Sequence, residues 1–217
     1  MSGTLSPLQE RVLVALAVHV RESWVLTGGA ALSGFYTFHR STRDLDLTSL
    51  DRKSVGGLPD ASVNALLQDG LDAEPHRLAR EHWQIDVSDG EDAVVVEIVG
   101  GWSPAAEGPC PVVFHGHEIM VESRHELLVR KLTAVFDRAE PRDLEDIGAL
   151  LRAGGDLYRA LRDAGEAFSG LTPTTLARAL RDLPLARLAG VVGWSAEKTR
   201  EMIDLRDEIA ERMTRVD

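Results

Sequence analysis

The stretch WVLTGGAALSGFYTFHRSTRDLDLTSL, Trp24 to Leu50, decides the fold. Trp24-Val25-Leu26 reads as a short strand that ends at Gly28-Gly29, and Ala30 to Tyr36 as a helix. Asp44 to Leu50 then alternates acidic and apolar residues with the period of a strand. Leu45 and Leu47 point into a core, and Asp44 and Asp46 share the other face, about 6.6 Å apart along the chain. Two carboxylates held side by side repel unless a cation sits between them. Mg²⁺ prefers such oxygen ligands and keeps phosphate oxygens in its remaining positions. Alone, an Asp-x-Asp pair is more often a solvated strand face. The glycine pair earlier in the stretch shifts the balance. Backbone N–H groups at a helix N-terminus can hold phosphate oxygens, and glycine permits φ > 0 and close backbone approach.

Working outward, Glu97 interrupts Val94-Val95-Val96-Glu97-Ile98-Val99, a strand that otherwise reads as buried. A charge there is costly unless paired or bound to metal. If this strand neighbours Asp44–Asp46, three carboxylates converge; by alternation alone Glu97 is as readily a solvent-facing residue. Asp86, on the preceding strand, is the fallback for the same role. Lysines occur only at positions 53, 131 and 198, so the positive charges are mostly arginine. Lys131 stands out within Leu127-Leu128-Val129-Arg130-Lys131-Leu132, because a compact ammonium suits a phosphate oxygen or a nucleotide; a snorkelling surface lysine is the competing account. Asp143 and Asp146, three apart on the next helix, share a face. They also fit as acids that complement a helix N-terminus.

The rest of the chain organises around these residues. Ser6-Pro7-Leu8-Gln9 starts a helix with a capping box, running to about Arg21. A Gly/Pro segment from Asp51 to Asp60 leads to a helix near 61–69. Strands follow at 73–80, 83–87 and 93–99, with Ser88-Asp89-Gly90-Glu91 as a hairpin turn. A further hairpin is expected around His115-Gly116-His117. From Ser123, with Glu126 at the capping-box position, a helix with Leu127, Leu128, Leu132 and Val135 on its apolar face is expected, then helices over 141–152, 156–168, 173–182 and 195–214. The organisation is therefore α/β over 1–121 and all-α over 122–217. With no flexible linker between them, two lobes facing a cleft are expected.

Composition narrows the function. The net charge of −11 means that the overall field does not attract a phosphate backbone, so any nucleic-acid binding needs a local basic patch. Arg124, Arg130, Arg138 and Arg142 are candidates for one. At 5% aromatic residues, multi-base stacking platforms are disfavoured. The single Cys110 fits a reducing, cytoplasmic setting, and the apolar run Val12–Val20 is about half of a membrane span. No Cys/His cluster has zinc spacing, and there is no P-loop, Gly-x-Gly-x-x-Gly or nucleophile elbow.

Together, Gly28-Gly29-Ala30-Ala31-Leu32, then His39-Arg40-Ser41-Thr42-Arg43-Asp44-Leu45-Asp46-Leu47, then the Lys131 helix and Arg142-Asp143-x-x-Asp146, resemble the AbiEii/AbiGii-type nucleotidyltransferases. These belong to the polymerase-β-like nucleotidyltransferase superfamily and include the MenT-type toxins. The resemblance covers roughly 24–150. Thr42 stands where Ser is commoner, Glu97 where the third carboxylate is usually Asp, and Glu145 where an aromatic is common.

The resemblance implies a polymerase-β-like core with a mixed sheet, followed by a helical lobe, and a Mg²⁺-dependent enzyme with a two-ion site. Asp44 and Asp46 would bind Mg²⁺ bridging to an NTP. Gly28, Gly29 and Thr42 would hold its phosphates, with Arg40 nearby. Glu97 would complete the second metal site or act as base. Lys131 would contact the nucleotide, and Asp143 or Asp146 would hold Lys131 or orient the acceptor. The acceptor would be tRNA or another macromolecule, with a cognate antitoxin as partner. A small-molecule nucleotidyltransferase of the aminoglycoside-modifying type and a non-catalytic nucleotide-binding module are the competing readings.

Overall fold

A computed structural model describes residues 4–20, 24–51, 54–101 and 103–215. Arg21 and Lys53 lie outside the described residues. The chain divides into two compact units. The first runs to Pro104 and resumes over Gly108–Ser123; the second comprises Ala105–Glu107 and the chain from Arg124 onward.

The first unit is built on a seven-stranded mixed sheet. Its strands are β1 (Trp24–Thr27), β2 (Asp44–Ser49), β3 (Asp72–Ala79), β4 (His82–Ser88), β5 (Ala93–Val99), β6 (Cys110–Phe114) and β7 (His117–Val121), in the spatial order β3-β4-β5-β2-β1-β7-β6. The β2–β5 and β1–β7 pairs are parallel, and the other pairings are antiparallel hairpins or crossovers. Leu45, Leu47, Ile85, Val87, Val96 and Ile98 are buried on one face. That face packs on α1 (Pro7–His19) and α3 (Leu58–Gln68) through residues such as Val12, Leu16 and Leu66. Strict alternation keeps one face apolar, so the acids of β2 are confined to the opposite one.

The capping box of α1 forms as expected. Ser6 Oγ accepts from the Gln9 N–H, and Gln9 Oε1 accepts from the Ser6 N–H. Gln9, 1% exposed, also donates through Nε2 to the Thr42 carbonyl at 3.2 Å. A helix cap thus also fixes the loop leading into β2. The helix after β1 begins earlier than expected, at Gly28: α2 (Gly28–Leu32) continues directly as a π-turn over Ser33–Thr37.

The second unit contains α4 (Arg124–Asp137), α5 (Pro141–Arg152), α6 (Leu157–Ala167), α7 (Pro173–Asp182), α8 (Leu185–Val192) and α9 (Ala196–Thr214). The eight-residue α8 is absent from the sequence reading, since Pro184 before it and Gly190 within it both read as breakers. At Gly148, a Cβ would stand 2.5 Å from Leu205 Cδ2, so glycine is what lets α5 and α9 approach. Glu126, wholly buried, accepts from the N–H groups of Ala105, Ala106 and Glu107 at 2.8–3.2 Å. This explains why three residues far upstream belong to the helical unit. Among the described residues, no helix is long and apolar enough to cross a membrane.

Candidate active site

In the first unit the elements converge at the start of α2. Gly28 adopts φ +64°, the left-handed region open to glycine. A Cβ built there would overlap the Asp46 carboxylate, so that carboxylate lies directly against the glycine backbone. The antiparallel register Thr27↔Asp46 brings them together. At Gly29 a Cβ would stand 3.2 Å from Arg40 Nη2 and 3.3 Å from Thr42 Oγ1. Gly28, Gly29, Arg40 and Thr42 therefore form one cluster: a helix N-terminus, a guanidinium and a hydroxyl around a bare backbone. This is a suitable surface for phosphate oxygens. If this cluster holds a triphosphate, as the resemblance implies, Gly28→Ala is expected to slow transfer at least about 100-fold, because the carboxylate or the turn must move. Gly29→Ala, whose neighbours are side-chain ends, costs less. Comparing transfer rates of the two folded variants checks the order.

The strand register places Glu97, and not Asp86, next to Asp46. Asp46 pairs directly with Glu97 across the parallel β2–β5 ladder. Asp86 pairs with Val95 on the far side of β5, two strands from Asp44. Adjacent strands are about 4.8 Å apart, so Glu97 is the nearer acid. The expected convergence of three carboxylates is nevertheless not reached. Glu97 Oε2 lies 3.3 Å from His82 Nε2, and Asp86 is held by Gln84 Nε2 at 2.6 Å and His76 Nε2 at 3.3 Å. Among the described residues, no three His, Cys, Asp or Glu side chains stand in a metal-binding arrangement. The donor chemistry still fits a hard cation: Asp44 and Asp46 share a face, Asp44 is exposed, and Glu97 is in register beside them. His82 was missed at the sequence level, where nothing marks which residue of one strand meets Glu97 on another.

The second unit holds a separate ionic cluster. Lys131 Nζ lies 2.8 Å from Asp143 Oδ1 and 2.8 Å from Asp146 Oδ2, so both aspartates hold the lysine. Both aspartates are 0% exposed. Burial opposes the charge on Lys131, but the carboxylates of Asp146 and Asp143 outweigh it and raise its pKa above the ordinary 10.5. Arg138 also grips Asp143 through Nε at 2.8 Å and Nη2 at 2.9 Å, a bidentate contact that spacing alone does not reveal.

The arginine patch is largely committed elsewhere. Arg130 Nε faces Glu126 at 3.4 Å, Arg138 binds Asp143, and Arg124 donates to the Ala153 carbonyl. Glu145, at the position where the resemblance prompts an aromatic, takes Lys198 at 3.2 Å and the Trp194 indole N–H at 3.3 Å.

Comparison with known proteins follows the same lines. The family model described as "Nucleotidyl transferase AbiEii toxin, Type IV TA system" matches residues 11–200. Among solved structures, the chain is similar to an H. pylori protein described as a nucleotidyltransferase, with 16% identity, a TM-score of 0.58 and 96% of each chain covered. It is also similar to JHP933 from Helicobacter pylori, with 18% identity, a TM-score of 0.54 and coverage of 97% of this chain and 95% of that one. An antigenic nucleotidyltransferase-like protein from Paracoccidioides brasiliensis aligns with 16% identity, a TM-score of 0.53 and coverage of 93% and 94%. At these identities the likeness is one of fold. No curated protein sequence matches the chain.

Proposed function

The chain belongs to the AbiEii family of nucleotidyltransferase toxins of type IV toxin–antitoxin systems, and from that membership we propose that it transfers a nucleotidyl group from an NTP to tRNA with the help of Mg²⁺. The membership itself makes it a nucleotidyltransferase with a nucleotide substrate and an antitoxin partner. The observation that supports the site is the contact of the Asp46 carboxylate with Gly28, beside a Gly29 backbone flanked by Arg40 and Thr42.

In this reading the triphosphate rests on the α2 N-terminus, with Arg40 and Thr42 on its oxygens. Asp44 and Asp46 would hold the Mg²⁺. When bound, the ion supplies charge neutralisation of the phosphates and of the leaving pyrophosphate. An acceptor hydroxyl oxygen forms a bond to the α-phosphorus as the bond from that phosphorus to the bridging α–β oxygen breaks, releasing pyrophosphate. Glu97 takes the hydroxyl proton or serves a second ion. Lys131 is assigned to the nucleotide on the order of the motifs.

A second acceptor class is favoured by one specific observation. A groove of about 1050 Å³ runs along the strand ends beside Asp44, and its walls carry Asp72, Glu74, Asp86 and Asp92 against the single basic Arg43. Such a wall suits a small polycation.

The test incubates the protein with Mg²⁺, each α-³²P-labelled NTP and total tRNA. We expect label on an RNA band from one NTP, abolished by EDTA. Label on a small basic metabolite instead supports the second acceptor. Bound NTP with no transfer to either overturns the catalytic reading.

A further inference from the structure

We propose that Phe38 and Arg43, on either side of the Arg40 and Thr42 assigned to the triphosphate, dock the single-stranded end of the RNA acceptor, with Phe38 stacking on an unpaired base and Arg43 meeting the backbone beside it. This rests on the RNA reading above and assigns the surface that takes the RNA.

Phe38 is 57% exposed, and its φ of +51° lies in the left-handed region. It terminates the π-turn after α2, a place where glycine fits without strain. A bulky residue is an outlier there. Neither burial nor backbone preference accounts for the ring, and strained residues of this kind cluster where a side chain is used. Ala139 and His115 also have positive φ, but neither presents a large exposed apolar surface.

The backbone that carries the ring is held in place. The Phe38 backbone N–H donates to the Ser33 carbonyl at 3.1 Å. On the preceding residue, Thr37 Oγ1 bridges the Leu32 carbonyl at 3.1 Å and His39 Nδ1 at 2.7 Å. Two residues on, Arg40 lies against Gly29. Arg43 is exposed, immediately precedes Asp44, and makes no ion pair with the described residues; it is the one base on the groove wall that also carries Asp72, Glu74, Asp86 and Asp92, so it is the cation there that a backbone phosphate would meet.

In a chain of net charge −11, this segment carries two arginines, a histidine and no acid. An aromatic among cations is the composition that binds single strands, through stacking and backbone attraction. RNA ends are recognised in this way because their bases are free to stack. The arginines of the helical unit, by contrast, are mostly tied to its own carboxylates and carbonyls.

The test measures binding of a fluorescein-labelled single-stranded RNA dodecamer ending in CCA, with a blunt RNA duplex as control. It uses the full-length protein and its F38G, F38W and R43Q variants. F38G is expected to weaken single-strand binding about 5- to 100-fold. It should raise the KM for RNA, leave the KM for NTP alone, and leave the melting temperature unchanged or higher, since glycine suits the backbone. F38W should restore binding, and R43Q should reduce the salt slope by about one.

Wild-type affinity in F38G, or equal loss of RNA and NTP binding, overturns the inference. If the wild-type protein labels tRNA while F38G behaves identically, only this inference fails. If the wild type neither binds nor labels RNA, the RNA reading fails with it.

Discussion

Replacing Asp44 by alanine is expected to reduce nucleotidyl transfer at least about 1000-fold while leaving the fold intact. The catalytic half of this expectation follows from charge. Asp44 and Asp46 share one face of β2, and if the pair holds Mg²⁺ as proposed, removing one carboxylate leaves a single aspartate to hold it. Losing a single electrostatic stabiliser of a transition state costs roughly 100- to 1000-fold, and a misplaced metal adds to that. The stability half follows from exposure. Asp44 is exposed at the first position of its strand, and none of the core residues depends on its side chain. Surface changes of this kind fall within about 0.5 kcal/mol. Removing one of two neighbouring like charges acts slightly in favour of the fold. Single-turnover transfer of α-labelled NTP, measured beside thermal unfolding, reads both halves. A folded Asp44→Ala protein with wild-type transfer would sink the role of the Asp-x-Asp pair. An unfolded variant would contradict the account of β2.

That split between chemistry and stability was partly legible in the sequence. The alternation Asp44-Leu45-Asp46-Leu47 placed the acids on one face and the leucines in the core, because strand periodicity is local. Which acid neighbours them is not local. Glu97 and Asp86 both lie on the open face of their strands, and only the order β4-β5-β2 puts Glu97 beside Asp46. His82, which engages Glu97, was illegible for the same reason. Gly28 and Gly29 could be read as a turn. That Gly28 makes room for the Asp46 carboxylate required the β1–β2 register.

The helical unit shows the limit differently. Spacing put Asp143 and Asp146 on one face of α5, but their meeting with Lys131 depends on how α4 packs on α5. Counting charges suggested a basic patch that the structure largely neutralises. Each arginine's partner, such as Glu126 for Arg130, is a property of side-chain packing rather than composition. The division of the chain was expected near 121. The units part at Ser123, with residues 105–107 drawn into the helical unit by Glu126, a contact no linear reading anticipates.

Asp143→Ala is the change expected to cost the most stability, about 3–5 kcal/mol, with a melting temperature lower by on the order of 10 °C. Asp143 is fully buried and binds two cations at once, Lys131 through Oδ1 and Arg138 through both oxygens. Its removal leaves Lys131, with a side chain only 12% exposed, facing Asp146 without its second carboxylate. Breaking a buried network by removing one partner is far costlier than the net value of the network, because the remaining charges stay desolvated. Lys131→Met should cost less, since Asp143 then keeps the bidentate Arg138. The pH dependence has a definite sign. A lysine whose folded pKa is raised contributes its full stabilisation below the unfolded value of 10.5 and loses it only as pH climbs through the still higher folded value. The Lys131 contribution is therefore the same at pH 6 and pH 9. Urea midpoints of the full-length protein and both variants at these two pH values test the order. Equal midpoints for Asp143→Ala and wild type would mean that the cluster serves only the nucleotide. A Lys131→Met protein less stable than Asp143→Ala would mean that Asp146, not Asp143, carries the ionic core of the unit.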